Sequence, residues 1–345
     1  MKARGAAVQG TLAVLGLVAA YATWQRQPEK GAGGDVVVLD IGRNDLERVR
    51  YLDGPKSVDL ERRSDGPEKG LWIHLTTRDS PDAGISAPDA GIASSPSEHK
   101  SLDRDLRAND VAEKLFDKFT PLKASRSLGV LDPAKRRELG LEGSKKRLEI
   151  FARGGKHASY VLAVSALGAG APYLQNDQDN RVYLLGGSIA SDLEAASTRL
   201  VDRRLHTFKP ADYDSVLVKV DDKQRELVQI PGEANQPPKL ASKKTPTKPD
   251  DFARNWHERM WHLVVTEVLG RSEVPASGEP KVAVRINYRS RGKPVGWMEV
   301  TQPRTVPSTP VPEMFARTEH TAGWVKVHAV GEDLVKEAKK VASEP

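Results

Sequence analysis

The chain has 345 residues, with 53 Lys or Arg against 47 Asp or Glu, for a net charge of +6. It contains no cysteine, which excludes disulfides, a thiol nucleophile and lipid attachment through an N-terminal Cys. The basic excess is spread along the chain with no basic stripe interleaved with aromatics, so no nucleic-acid partner is expected, and the charge favours anionic headgroups or envelope polymers only weakly.

The first element is Ala6–Trp24, an apolar run interrupted only by Gln9, Thr11 and Thr23. As a helix it would span roughly 30 Å of hydrocarbon. Residues 1–26 are therefore expected to be an N-terminal transmembrane anchor or signal. Leu12, Val14, Leu15, Leu17 and Val18 would meet lipid, and Trp24 would lie in the interfacial belt. Lys2 and Arg4 place the N-terminus in the cytoplasm. The expected location is the cytoplasmic (inner) membrane, single-pass, with the body facing the periplasm or cell exterior. Ala20-Tyr21-Ala22 has the form that signal peptidase reads, and cleavage there would release a free periplasmic protein.

Residues 27–34 read as a tether. Asp35–Ile41 is a nearly continuous apolar run and reads as a central strand. Leu46–Leu52, the alternating stretch around Val58 and Leu60, and Leu71–Leu75 follow as strands. Residues 78–104 contain PDAGI twice amid Ser, Pro and Gly, the composition of a disordered insertion. A helix is expected over Asp110–Leu122, with Val111, Leu115, Phe119 and Leu122 on one face and Asp110 with Glu113 as a capping pair. Asp132, Pro133 and Gly140 cap, open and end a short helix. Leu148–Ala152 and Tyr160–Val164 form a hairpin around Gly154 and Gly155. Arg181–Leu185 is a strand, and a helix begins near Ser191, boxed by Glu194.

The order of elements then recurs. Ala211–Val218 matches Asn44–Tyr51 at a constant offset, a strand follows at Glu226–Ile230, and a Pro/Lys-rich insertion (232–249) stands where the first insertion stood. The helix Asp251–Leu269 presents Phe252, Trp256, Met260, Leu263 and Val264. Val282–Tyr288 and Trp297–Thr301 flank a turn at Ser290–Lys293, and a strand and helix close the chain over Gly323–Val341. The expected fold is α+β, with two duplicated lobes after the anchor. They span 35–200 and 205–343, each a mainly antiparallel sheet with helices on one face.

This order resembles a known family, the domain of unknown function 4340. The residues carrying the resemblance are Trp72, Leu131-Asp132-Pro133, Leu139-Gly140-Leu141, Tyr160, Arg181–Leu185 and Leu200–Leu205. Members of that family resemble auxiliary components of gliding-motility-type ABC transport systems. The resemblance implies a non-enzymatic accessory or scaffold subunit beside an ABC permease or other envelope proteins, with the lipid bilayer as a further partner through the N-terminal helix. It brings no catalytic residues.

Tests for chemistry point the same way. His257 and His262 are five apart, about 140° around a helix, whereas a zincin pair needs a spacing of four; the expectation is that both sit at the edges while Trp256 and Met260 pack inward. Gly168-Ala169-Gly170 lacks the third glycine of a dinucleotide loop. Gly186-Gly187-Ser188 before a helix reads as turn and cap. No phosphate loop or serine elbow occurs. Arg203 and Arg204 are the candidate partner-contact residues, able to clamp an acidic group; a solvated helix end is the plainer reading. No metal or cofactor is expected. The rival functions are an envelope-polymer hydrolase, which needs convergent carboxylates, and a free periplasmic binding protein.

Overall fold

The computed structural model describes residues 35–64, 69–77, 102–164, 171–230, 239–305, 312–328 and 331–344. After β1 (Val36–Leu39) the chain forms the hairpin β2 (Leu46–Asp53) and β3 (Lys56–Arg63). Val49 faces Leu60 and Tyr51 faces Val58, all four buried, while Arg50 faces Asp59 on the other side. The two-residue period sends alternate side chains to opposite faces. β4 (Gly70–Thr77) and β5 (Leu102–Arg107) extend this sheet. Helix α1 (Asp110–Asp117) follows, with the Asn109 side chain accepting from the Val111 and Ala112 N–H groups. Next come β6 (Leu122–Ala124), β7 (Arg126–Val130), α2 (Pro133–Glu138), β8 (Lys146–Ala152), β9 (Gly155–Ala163), β10 (Tyr173–Asn176) and β11 (Arg181–Leu184). Two short helices, α3 (Ile189–Glu194) and α4 (Ala196–Arg199), end the first unit.

The second unit contains β12 (Ser215–Val220), β13 (Lys223–Ile230), β14 (Lys239–Ser242), α5 (Asp251–Trp261) and β15 (Val265–Val268). It continues through β16 (Val282–Ser290), β17 (Lys293–Thr301), β18 (Met314–Thr318), β19 (Val325–Val327) and α6 (Gly331–Ser343). Its sheet runs β14-β13-β12-β16-β17-β18-β19-β15. The first runs β5-β4-β3-β2-β8-β9-β10-β11-β7, the same order with one extra edge strand. Register repeats as well: Val49 pairs with Leu60 and Ile150, and Val216 pairs with Leu227 and Tyr288. Helices α5 and α6 pack on one another and α6 lies on β12 and β13; the Trp256 indole N–H donates to the Leu334 carbonyl at 2.8 Å. One hydrophobic cluster runs through both sheets.

Several expectations are corrected. Among the described residues 47% are strand and 19% helix, in three sheets, which makes the fold a mostly-β α+β arrangement and not two helix-covered lobes behind an anchor. No helix among the described residues is long and apolar enough to cross a membrane. The longest, α6, has 13 residues, or about 20 Å, and carries Lys336, Lys339 and Lys340. The single-pass inner-membrane location is therefore not supported. The residues proposed to meet lipid, Leu12, Val14, Leu15, Leu17, Val18 and Trp24, lie outside the described residues, as does the tether. β1 is not central. It pairs only with β6 in a separate two-stranded sheet, and Val37 is half exposed. The expected helix over 251–269 stops at Trp261 and the chain turns into β15. Both repeats of the insertion expected over 78–104 lie outside the described residues, but 102–107 is β5; within the second expected insertion, 239–242 is β14.

Candidate functional site

The segment 200–213 joins the two units and is fastened to both. On one side the Asn109 N–H donates to the Leu200 carbonyl, and the Asp202 N–H donates to the Arg107 carbonyl at 2.9 Å. On the other side it meets the turn after β18. The Asp202 carboxylate contacts His320 Nε2 at 2.9 Å and Arg204 Nη2 at 2.7 Å. Glu319 contacts His206 Nδ1 at 3.1 Å and accepts the Trp297 N–H at 2.8 Å. Burial alone would raise the Asp202 pKa, but the hydrogen bonds from His320 and Arg204 outweigh it and hold the carboxyl well below the usual range.

Beyond Leu205 the segment crosses an aromatic cluster built by α5 and β16. His206 stacks on Trp261 with ring centroids 4.6 Å apart, and meets the edge of Tyr288 at 5.3 Å. Phe208 packs edge-on to Trp261 and Tyr288, and Tyr213 lies 4.9 Å from Tyr288. The helical spacing of four brings His257 and Trp261 to one side of α5. His257 is buried, not at the edge as expected, and lies 5.7 Å from Tyr288. Burial, then the neighbouring His206 and His262, push its pKa down to about 4, so it is neutral at pH 7. The Nε2 atoms of His206 and His257 and the Tyr288 hydroxyl are buried without a hydrogen-bond partner. Burial, followed by Tyr213 and Glu319, drives the Tyr288 hydroxyl well above its ordinary pKa. Among the described residues no group of three His, Asp or Glu could hold a metal.

A two-part cleft opens at this cluster. The inner compartment is about 140 Å³ and is walled by Tyr213, Gln229, Leu240, His257 and Trp261. The outer compartment is about 360 Å³ and is lined by Arg203, Arg204, His206, Phe208, Lys209 and Leu263. Pro210, Trp261 and His262 belong to both. The arrangement is an apolar floor under a basic rim, suited to holding an anionic group attached to an apolar body.

Arg203 and Arg204 therefore both reach the cleft, with different duties. Arg204 is committed to Asp202 and lies 3.5 Å from Asp110. Arg203 and Lys209 are exposed and make no ion pair with any described residue. Sequence reasoning did not find His206, Phe208, Tyr213, Trp261 or Tyr288 as one cluster. The available signal was the density of aromatic and basic residues between Arg203 and Tyr213.

The site is an apolar cleft with a basic rim, set beside the segment that joins the two sheets. No family model, curated protein or solved structure matches the chain.

Proposed function

We propose that the chain is a non-enzymatic accessory or scaffold subunit that works by holding another polypeptide, and that the cleft beside the 200–213 segment is where the partner docks. The observation that carries this reading is an apolar floor bordered by two exposed cations, Arg203 and Lys209, with which no described carboxylate pairs. The disposition of buried carboxylates supports it. Asp59, Asp192, Asp202 and Glu299 are buried, and each meets an arginine, at 2.8, 2.8, 2.7 and 2.6 Å. Acids neutralised in this way serve the fold, whereas a hydrolase needs one held ready to give or take a proton. A subunit of an ABC-type transport complex is the partner class that the family resemblance supplies.

The test is site-specific photo-crosslinking in the native host. A benzophenone side chain at Lys209 should trap one discrete polypeptide, and the same group at Arg291, in the exposed β16–β17 turn, should not. Equal trapping at both positions, or none at Lys209, would refute the reading.

A further inference from the structure

The shape and charge of the cleft narrow the partner further. The inner compartment holds about 140 Å³, and an apolar protein cavity of about 150 Å³ is enough for a benzene ring. Its walls include Tyr213, Trp261 and Leu240, which favour a flat or branched apolar group. The outer compartment adjoins it, sharing Pro210, Trp261 and His262 as lining, and is larger, so an occupant that reached both would be longer than one ring. Its charge is one-sided. Arg203, Arg204 and Lys209 line it, and among the described residues Glu258 at the inner compartment is the one carboxylate lining either part. Arg254 also reaches the inner compartment and has Asp251 at 3.7 Å.

We propose that the cleft takes a short acidic segment of a partner polypeptide, one ring-sized apolar side chain entering the inner compartment while flanking carboxylates meet Arg203 and Lys209. This rests on the docking reading above and adds the chemistry of the bound segment. The apolar side chain supplies contact area in the inner compartment. The carboxylates supply selectivity and steering from the exposed part, where pairs are individually weak and screened by salt.

The experiment uses the purified full chain and fluorescein-labelled five-residue peptides, read by anisotropy. The probe is a central Phe with two Glu on each side. Replacing its Phe by Ala should weaken binding by about tenfold or more, and replacing its four Glu by Lys should remove measurable binding. The double variant Arg203→Glu with Lys209→Glu changes two exposed side chains, so its melting temperature should stay at the wild-type value. That variant should lose the Glu peptide and gain the Lys peptide. Raising the salt should weaken the wild-type complex.

Equal binding of the Phe and Ala peptides would overturn the inner-compartment assignment. Unchanged binding by the double-Glu variant would overturn the charge assignment. Phenylacetate competing as strongly as the peptide would show a small-molecule site and overturn the proposal. If no acidic peptide binds while crosslinking at Lys209 still traps one discrete protein, the segment chemistry fails and the docking reading stands. If crosslinking fails as well, both fall.

Discussion

Neutral burial of His257 should make the protein lose stability in a defined acid window. Its pKa falls from an ordinary 6.5 to about 4 because the ring is buried beside His206 and His262. The unfolded chain therefore binds a proton between those pH values that the folded chain refuses. The contribution is fully present above pH 6.5 and is lost as pH falls toward 4. At about 1.4 kcal/mol per pH unit, the full window is worth about 3 kcal/mol. That is a large share of a typical domain stability of about 5–15 kcal/mol. The perturbation is His257→Gln, which keeps a polar side chain and removes the titration. Urea unfolding of both proteins should be followed by tryptophan fluorescence from pH 7.5 to 4.5. The variant has a constant cost from its altered packing, and groups such as Asp202 titrate in both proteins, so the informative quantity is how the difference changes with pH. The wild type should lose about 2–3 kcal/mol more than the variant on acidification. Parallel curves would refute the burial of an uncharged ring at this position.

Three further outcomes are expected. Asp202→Asn leaves Arg204 and His320 facing a neutral group on the segment that joins the units, and should cost about 3 kcal/mol in urea unfolding at pH 7; a loss under about 1 kcal/mol would mean the contact is not a clasp. Gly323→Ala would set a Cβ 2.5 Å from the Gly270 carbonyl oxygen, a backbone neighbour that cannot swing away, and should lower stability by about 1–3 kcal/mol; an unchanged melting temperature would refute that close approach. Leu240→Asp puts a charge at a buried position of β14 and should cost several kcal/mol, roughly 3 or more; near-wild-type stability would show that β14 is dispensable.

Parts of this structure were legible in the sequence, and the reason differs by element. Along β16, Val284, Ile286 and Tyr288 alternate and all are buried, and the hairpin turns at Arg291 and Gly292, with positive φ of 50° and 77°, so period and turn agree there. Asp132, Pro133 and Gly140 mark α2 by local chemistry alone, and Asp132 accepts from the Lys135 N–H. The match between Asn44–Tyr51 and Ala211–Val218 reappears as a shared register: Asp53 pairs with Lys56 in one hairpin and Val220 with Lys223 in the other. Where pairing is set by distant chain, sequence was a poor guide. Val36–Leu39 has the apolar run of a central strand, yet its partner is Leu122–Ala124. β7, β10 and β18 are four or five residues long, too short to show a period, and they exist because neighbouring strands satisfy their backbone. Leu263 and Val264 fell at helical spacing by accident; Val264 is exposed and the helix has ended. Arg203 and Arg204 could be picked out as a pair, but the split between a clasp and a rim residue depends on Asp202, whose partner His320 lies 118 residues away. The ring cluster draws on 206–213, 257–261 and 288, which only the folded sheets bring together.

The most direct test of partner docking through the cleft combines the rim variant with crosslinking. The Arg203→Glu, Lys209→Glu chain should be carried in the native host with a benzophenone at His262, which borders both compartments. The expected result is an unchanged melting temperature and a crosslink yield to the discrete partner reduced about tenfold relative to the unmutated rim, as loss of complementary charge at an interface would give. Full yield with both rim cations reversed would contradict the central claim that this cleft holds a partner through its basic rim.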